Sequence, residues 1–132
     1  QAMADTDESR SLPFELCETN GCIEIAFNPT IRALLEELAI GQDRRVLAGR
    51  FHNTVADALV AVCCRIREHE HLGQVVLSGG VFQNELLLHR ALTRLQAAGF
   101  QAFFPQRVPP NDGGLALGQA AVAQAQADAV AD

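Results

Sequence analysis

The chain has 132 residues, a formal charge of −6 and a pI near 5.1, which fits one compact domain without a basic run for nucleic acid. It contains no lysine, tyrosine or tryptophan, which excludes a Schiff-base lysine, a P-loop lysine and a Ser–Lys dyad. No apolar run approaches the roughly 20 residues of a membrane span, and no signal peptide opens the chain. We therefore expect a cytoplasmic protein with neither nucleic acid nor a membrane as partner.

The four cysteines lack the second pair and the histidine spacing of a zinc finger. They are Cys17, Cys22, Cys63 and Cys64. Free thiols of a reducing compartment are the preferred interpretation. A Cys17–Cys22 disulfide and a catalytic cysteine remain as alternatives.

The first part of the chain predicts a lead-in, a hairpin and two helices. Residues 1–11 are polar without periodicity and are interpreted as a disordered lead-in, with Gln1 and Ala2 as an added remnant. Two short runs, Phe14–Cys17 and Cys22–Phe27, flank an Asn-Gly pair typical of a β-hairpin turn. Apolar spacing then predicts one helix that begins at Asn28-Pro29 and ends at Gly41, and a second over 44–70.

The second part alternates strand and helix. It predicts strands over Gln74–Leu77 and Gln101–Phe104, helices over 83–97 and 115–127, a proline-rich loop over 105–110 and a tail over 128–132. The fold class is therefore α/β, a β-hairpin plus helices followed by β-α-β-α. This order implies a parallel strand pair with helical crossovers added to the antiparallel hairpin.

Two glycine-bearing loops are the candidate sites. Ser78, Gly79 and Gly80 follow a buried strand and lead to a helix near Asn84, where backbone could approach a nucleotide. A simple turn is the competing interpretation. The second loop carries Asp112, Gly113 and Gly114.

The role of Asp112 has two interpretations. The carboxylate could cap the following helix, or it could bind a metal or an Mg-nucleotide, which needs further ligands from elsewhere. If the two strands are parallel, both loops lie at the same edge, and each site becomes more plausible.

The histidines give no pair at the i, i+4 spacing of a helical metal site. His52 is interpreted as a buried packing residue of the long helix, and His69, His71 and His89 as solvated. No Gly-x-Ser-x-Gly elbow occurs, so hydrolase chemistry is set aside. No catalytic residue is assigned.

Residues 77–84 (LSGGVFQN), 108–120 (VPPNDGGLALGQA) and 50–54 (RFHNT) resemble the C-terminal part of the HypF family of carbamoyltransferases. The Ser-Gly-Gly-Val part is shared with TsaD-type threonylcarbamoyl-adenosine enzymes and TobZ-type O-carbamoyltransferases. The resemblance implies that residues 12–127 form the C-terminal half of an actin/hexokinase/Hsp70-like (ribonuclease H-like) domain.

The resemblance also implies a chemistry. ATP and carbamoyl phosphate would give carbamoyl-adenylate, and the carbamoyl group would pass to the C-terminal cysteine of HypE for the cyanide ligand of [NiFe]-hydrogenase. Ser78, Gly79, Gly80 and Asn84 would lie beside the nucleotide, as would the glycines at 113 and 114. Asp112 would bind a divalent metal, shared with histidines that this sequence lacks.

The partners implied are the N-terminal part of the same enzyme, HypE and carbamoyl phosphate. The family's His-x-x-x-His pair does not occur in this sequence, so the fragment alone is expected to be inactive. An uncovered half-domain is also expected to self-associate. The alternatives are an O-carbamoyltransferase or threonylcarbamoyl-adenosine synthase relative, and a non-catalytic binding or assembly module of the same fold.

Overall fold

The computed structural model describes residues 3–131 and contains four strands, four α-helices and two short 3₁₀ turns in that part of the chain. The strands are β1 (Glu15–Thr19), β2 (Cys22–Ala26), β3 (Gln74–Val76) and β4 (Gln101–Phe103). The helices are α1 (Asn28–Ala39), α2 (Arg44–Glu70), α3 (Glu85–Ala97) and α4 (Leu115–Ala131). The 3₁₀ turns are Gly80–Gln83 and Asp112–Gly114. The α/β class is thereby confirmed.

β1 and β2 form the antiparallel hairpin that the Asn-Gly pair predicted. Asn20 and Gly21 have φ of +53° and +76°, the positive values that a tight hairpin turn requires, and Thr19 faces Cys22 directly across it. The hairpin is one two-stranded sheet, and β3 and β4 form another. The antiparallel hairpin and a second strand pair were therefore both predicted correctly. In the described part of the chain, however, the hairpin and β3–β4 are separate sheets rather than one.

β3 and β4 are parallel, with Val75 opposite Ala102, and α3 provides the crossover between them. Leu95 of α3 is fully buried and packs with Leu77 and Phe100, which flank the two strands. The partly buried Leu59, from the middle of α2, lies against the same cluster. The core therefore holds the carboxyl ends of β3 and β4 in a fixed position relative to α2.

Two helix boundaries differ from those predicted. α3 begins at Glu85 rather than Gln83, because the Asn84 side chain accepts a hydrogen bond from the Leu87 backbone and caps the helix. α4 extends to Ala131 and takes up most of the predicted tail, while Asp132 lies outside the described residues. No helix in the described part of the chain is long and apolar enough to cross a membrane.

Residues 4–12, here called the N-terminal strap, lie along α2 and α3 in irregular backbone. Ala4 and Leu12 are buried, and the Leu12 N–H donates to Thr54 Oγ1 at 2.8 Å. Arg90 of α3 donates to three strap carbonyls, among them that of Glu8. The predicted lead-in over residues 1–11 stays a prediction as to disorder, and Gln1 and Ala2 lie outside the described part.

Candidate functional site

The two glycine-bearing loops meet at the carboxyl ends of β3 and β4. The Gly79 N–H donates to the Pro110 carbonyl at 2.6 Å, and Ser78 Oγ donates to the same carbonyl at 3.4 Å. A Cβ on Gly80 would lie 3.9 Å from the Cβ of Asn111. The sequence argument that parallel strands would bring both loops to one edge is confirmed.

The first loop is shaped by Gly79 and anchored by Phe82. Gly79 has φ of +109°, a conformation that glycine adopts without steric cost. The following 3₁₀ turn is closed by the Phe82 N–H, which donates to the Gly79 carbonyl at 3.2 Å. Because the Phe82 ring is buried in the core, the exposed backbone between Ser78 and Gly80 has a rigid support.

The second loop is organised by Asn111, which caps the 3₁₀ turn Asp112–Gly114. Asn111 Oδ1 accepts from the Gly113 N–H at 3.0 Å, and the Asn111 carbonyl accepts from the Gly114 N–H at 3.0 Å. A Cβ on Gly114 would stand 2.8 Å from the Pro109 carbonyl oxygen. Gly114 is therefore required by packing, and the exposed Asp112 carboxylate is not used as the cap.

A cavity of about 790 Å³ opens between these loops and the first turns of α4. Four of the predicted site residues line it, namely Ser78, Gly79, Asp112 and Gly114. Gly80, Asn84 and Gly113 are not among its lining residues. The structure thus brings part of each loop to one concave surface. Contact between a ligand and any of the seven predicted site residues stays a prediction.

Asn84 is engaged within the protein. Its Oδ1 caps α3, and its Nδ2 donates to His52 Nε2 at 2.8 Å. His52 is half-buried on α2, and its ring is bonded at both nitrogens rather than merely packed among apolar neighbours. The pattern around His52 could not reveal this contact, because its partner is 32 residues further along the chain.

Asp112 does not belong to a metal-binding cluster within the described residues. In that part of the chain, no group of three or more His, Cys, Asp or Glu side chains could hold an ion. One exposed carboxylate is too small a donor set for a protein cage, since divalent cations take several oxygen or nitrogen ligands. The residues described here therefore do not by themselves fit a resident metal, and Asp112 could supply only one ligand.

The cysteines are free thiols, and their surroundings bear on the alternatives. Burial, together with the neighbouring Cys64, raises the pKa of the Cys63 thiol. A raised pKa reduces the thiolate fraction that nucleophilic chemistry needs. The burial of the Cys63 thiol therefore does not favour Cys63 as a catalytic residue.

Residues 1–119 match a family model described as the second subdomain of the carbamoyltransferase Kae1-like domain. The chain is 37% identical over 123 residues to carbamoyltransferase HypF of Rhodobacter capsulatus, covering 93% of this chain and 15% of that protein. A weaker match, 27% identical over 120 residues, is the tRNA N6-adenosine threonylcarbamoyltransferase of Francisella tularensis subsp. novicida, with 87% of this chain and 36% of that protein covered.

The fold matches a crystal structure of full-length HypF in the phosphate- and nucleotide-bound form. The TM-score is 0.86 at 32% identity, and the match covers 92% of this chain. It covers 16% of the crystallised chain. The likeness therefore extends through nearly all of this chain but through a small part of the protein it resembles.

Proposed function

The chain belongs to the HypF family of carbamoyltransferases, and on that premise we propose that it is the nucleotide-side half of the actin-like domain in a longer enzyme. The observation that carries the proposal is the junction of the two glycine loops, where the Gly79 N–H meets the Pro110 carbonyl beside one cavity. The solved HypF relative binds phosphate and nucleotide. A nucleotide at this junction agrees with the rule that ligands bind beyond the carboxyl ends of parallel strands.

The proposed reaction uses ATP and carbamoyl phosphate, passes through carbamoyl-adenylate and carbamoylates the C-terminal cysteine of HypE during [NiFe]-hydrogenase maturation. The exposed backbone of Ser78–Gly80 would approach the nucleotide, with Gly113 and Gly114 beside it at the entrance to α4. We propose Asp112 as one ligand of a divalent cation whose other ligands, histidines, come from outside this chain. Bound there, such a cation would neutralise phosphate charge.

The chain spans 15% of the Rhodobacter capsulatus HypF that it matches. We propose that the 132 residues do not transfer carbamoyl groups by themselves, because the remaining part of the enzyme supplies the rest of the site. The partners would be that remaining part, HypE and carbamoyl phosphate, and the compartment the cytoplasm.

The proposal is tested by placing this chain in a complete enzyme. The matching segment of Rhodobacter capsulatus HypF is replaced by the chain, and the chimera receives ATP, carbamoyl phosphate and a peptide with the C-terminal sequence of HypE. Carbamoylation of the terminal cysteine is read as a mass increase of the peptide. An intact, folded chimera that leaves the peptide unmodified would count against the proposal.

Asp112→Asn in the chimera tests the metal role. We expect at least about a tenfold loss of carbamoyl transfer, as for other perturbations of metal sites. Asp128→Asn is the matched control, since Asp128 lies on α4 and accepts a hydrogen bond from Gln124. Equal activities of the two variants would favour a structural role for the loop, or a module without catalysis.

The match to a tRNA threonylcarbamoyltransferase supports a second candidate, a relative that modifies tRNA or another hydroxyl or amine acceptor. Its 27% identity is lower than the 37% found for HypF. The two functions differ in their acceptor. A second chimera, in which the chain replaces the matching segment of the Francisella enzyme, receives tRNA and a threonylcarbamoyl donor, and analysis of the nucleosides separates the two functions.

A further inference from the structure

His52 has one tautomer compatible with its surroundings. Its Nδ1 lies 2.7 Å from the Ala48 carbonyl oxygen, one turn earlier on α2. A carbonyl can only accept, so Nδ1 must carry the hydrogen, and the neutral ring then presents a lone pair at Nε2. His52 is thereby an acceptor directed towards α3.

Asn84 is oriented from the other end by an independent contact. The Leu87 backbone N–H needs an acceptor, and Asn84 Oδ1 provides it at 3.1 Å. The amide nitrogen Nδ2 must therefore face the other way, where it lies 2.8 Å from His52 Nε2. The His52 ring and the Asn84 amide are thus each oriented by a different backbone group. The two orientations agree, because an N–H of Asn84 Nδ2 is directed at the lone pair of His52 Nε2.

The backbone of Asn84 terminates the glycine loop. Its N–H donates to the Val81 carbonyl at 3.1 Å and closes the 3₁₀ turn, while its carbonyl accepts from the Leu88 N–H at 3.0 Å. A rotation of the Asn84 side chain would remove the cap of α3 at the point where the loop joins the helix. The loop that carries Gly79 and Gly80 is therefore hydrogen-bonded to α2 through this amide, in addition to the packing of Phe82 in the core.

We propose that His52 is a positioning residue of the site: its Nδ1–H tautomer holds the Asn84 amide in the orientation that caps α3 and fixes the Ser78–Asn84 loop. His52 is not a ligand of the nucleotide in this proposal, and Asn84 acts through the shape of the loop. The consequence for nucleotide binding rests on the function proposed above, whereas the consequence for loop order does not.

Two amide variants test whether an acceptor at the position of His52 Nε2 is what holds the Asn84 amide. Gln at position 52 places an acceptor near the former Nε2, and Asn places polar atoms near the former Nδ1 only. In His52→Asn we expect amide hydrogen exchange of Leu87 to accelerate about 2- to 10-fold relative to Leu95. In His52→Gln, and in the exposed control His89→Gln, the ratio should stay within about twofold of the wild type.

The tautomer itself is observable in the 132-residue chain by long-range ¹H–¹⁵N correlation of the imidazole. We expect the Nδ1–H form at His52, and an Nε2–H form would overturn the proposal. Equal acceleration of Leu87 exchange in His52→Asn and His52→Gln would also overturn it, because only the Gln variant keeps an acceptor near the former Nε2.

Titration with ATP and Mg²⁺, followed at the Gly79 and Gly80 amides, tests the link to the site. Weaker binding by about 2- to 10-fold in His52→Asn, restored in His52→Gln, supports the proposal. Unchanged affinity in both variants overturns its nucleotide part. A wild-type chain that shows no ATP response counts against nucleotide binding by this chain, and the exchange data then still decide the role of His52.

Discussion

The N-terminal strap and α4 reverse the usual relation between polarity and burial. The strap is rich in Asp, Glu, Ser and Arg, yet it lies against α2 and α3 and contains two buried residues. α4 is rich in Ala, Leu and Val, yet all its side chains in the described range are exposed, with Leu115 at 62% and Leu117 at 59%. Hydropathy alone would have predicted an exposed strap and a buried α4.

The strap is held by donors that match its backbone carbonyls. Arg90 Nη2 donates to the carbonyls of Asp5, Thr6 and Glu8 at 3.2–3.3 Å, and Asn53 Nδ2 donates to the carbonyls of Glu8 and Arg10 at 2.8 Å. Buried carbonyls are tolerated when they are paired, and charged donors form the stronger bonds. A polar segment can therefore be part of the fold when its acceptors are satisfied.

α4 shows the converse. A largely apolar helix without a distinct polar side is normally covered, but within the described residues α4 contacts mainly its own leading turn and lines the cavity beside the proline loop. The family model ends at residue 119, within this helix. We expect the rest of a longer enzyme to cover it, and we expect the isolated chain to self-associate through it.

Arg90→Ala should have the largest effect on this comparison. The variant removes the donors of three strap carbonyls and of the Gly49 carbonyl, which Arg90 Nη1 meets at 2.6 Å. Unpaired buried acceptors are costly, so we expect the free energy of unfolding in urea to fall by about 3 kcal/mol. Arg32→Ala on the exposed side of α1 is the control, with an expected change within about 0.5 kcal/mol. A small effect of Arg90→Ala would mean that the strap is not a structural part of the fold.

Alanine substitutions at two helical glycines test the difference between the strap and α4 more directly. A Cβ on Gly49 of α2 would lie 2.6 Å from the Asp5 carbonyl oxygen of the strap, whereas a Cβ on Gly118 of α4 meets no atom of the described residues within 4 Å. Gly49→Ala should lower the free energy of unfolding by about 1–3 kcal/mol through overpacking. Gly118→Ala should raise it by up to about 1 kcal/mol through helix propensity. Effects of the same sign in both variants would contradict the difference between the regions.

The strap should also give the protein an acid-sensitive element. Hydrogen bonds from the Arg10 side chain, the Arg10 N–H and Arg50 lower the pKa of Glu8 from 4.5 to about 2. The folded state then binds fewer protons than the unfolded state, so this contribution is present above about pH 5 and is lost as the pH falls towards about 2. Glu8→Gln should be less stable than the wild type at pH 6, and the gap between their urea midpoints should close in acid. A gap that stays constant over this interval would exclude Glu8 as its source.

The local sequence pattern was sufficient to predict elements whose stabilising residues lie close together in the chain. The Asn-Gly pair predicted the hairpin, and the bounds of α2 agree with the predicted range. Asp43 caps α2, since its side chain accepts a hydrogen bond from the Arg45 N–H at 2.7 Å. The meeting of the two site loops also followed from the order of strands and helices, since parallel strands end at one edge.

Hydrogen bonds between residues that are distant in sequence could not be predicted from the local sequence pattern. The strap has no periodicity because its partners are distant in sequence, Arg90 being 82 residues from Glu8. Asn84 was predicted as a nucleotide neighbour, and nothing near it in sequence indicates that His52 takes up its amide. Asn53 and Thr54 of α2 are buried against the strap, and their strap partners lie more than 40 residues away in sequence.

Leu117→Gln should have the smallest effect and tests the exposed side of the comparison. Leu117 is 59% exposed, so a polar replacement removes little apolar burial, and the free energy of unfolding in urea should change by less than about 0.5 kcal/mol. Leu95→Ala is the core control, at a fully buried position where about 2–5 kcal/mol is expected. Light scattering over a dilution series should show weaker self-association in Leu117→Gln. A loss above about 1 kcal/mol for Leu117→Gln in dilute, monomeric protein would mean that α4 packs on this same chain, and the contrast with the strap would then fail.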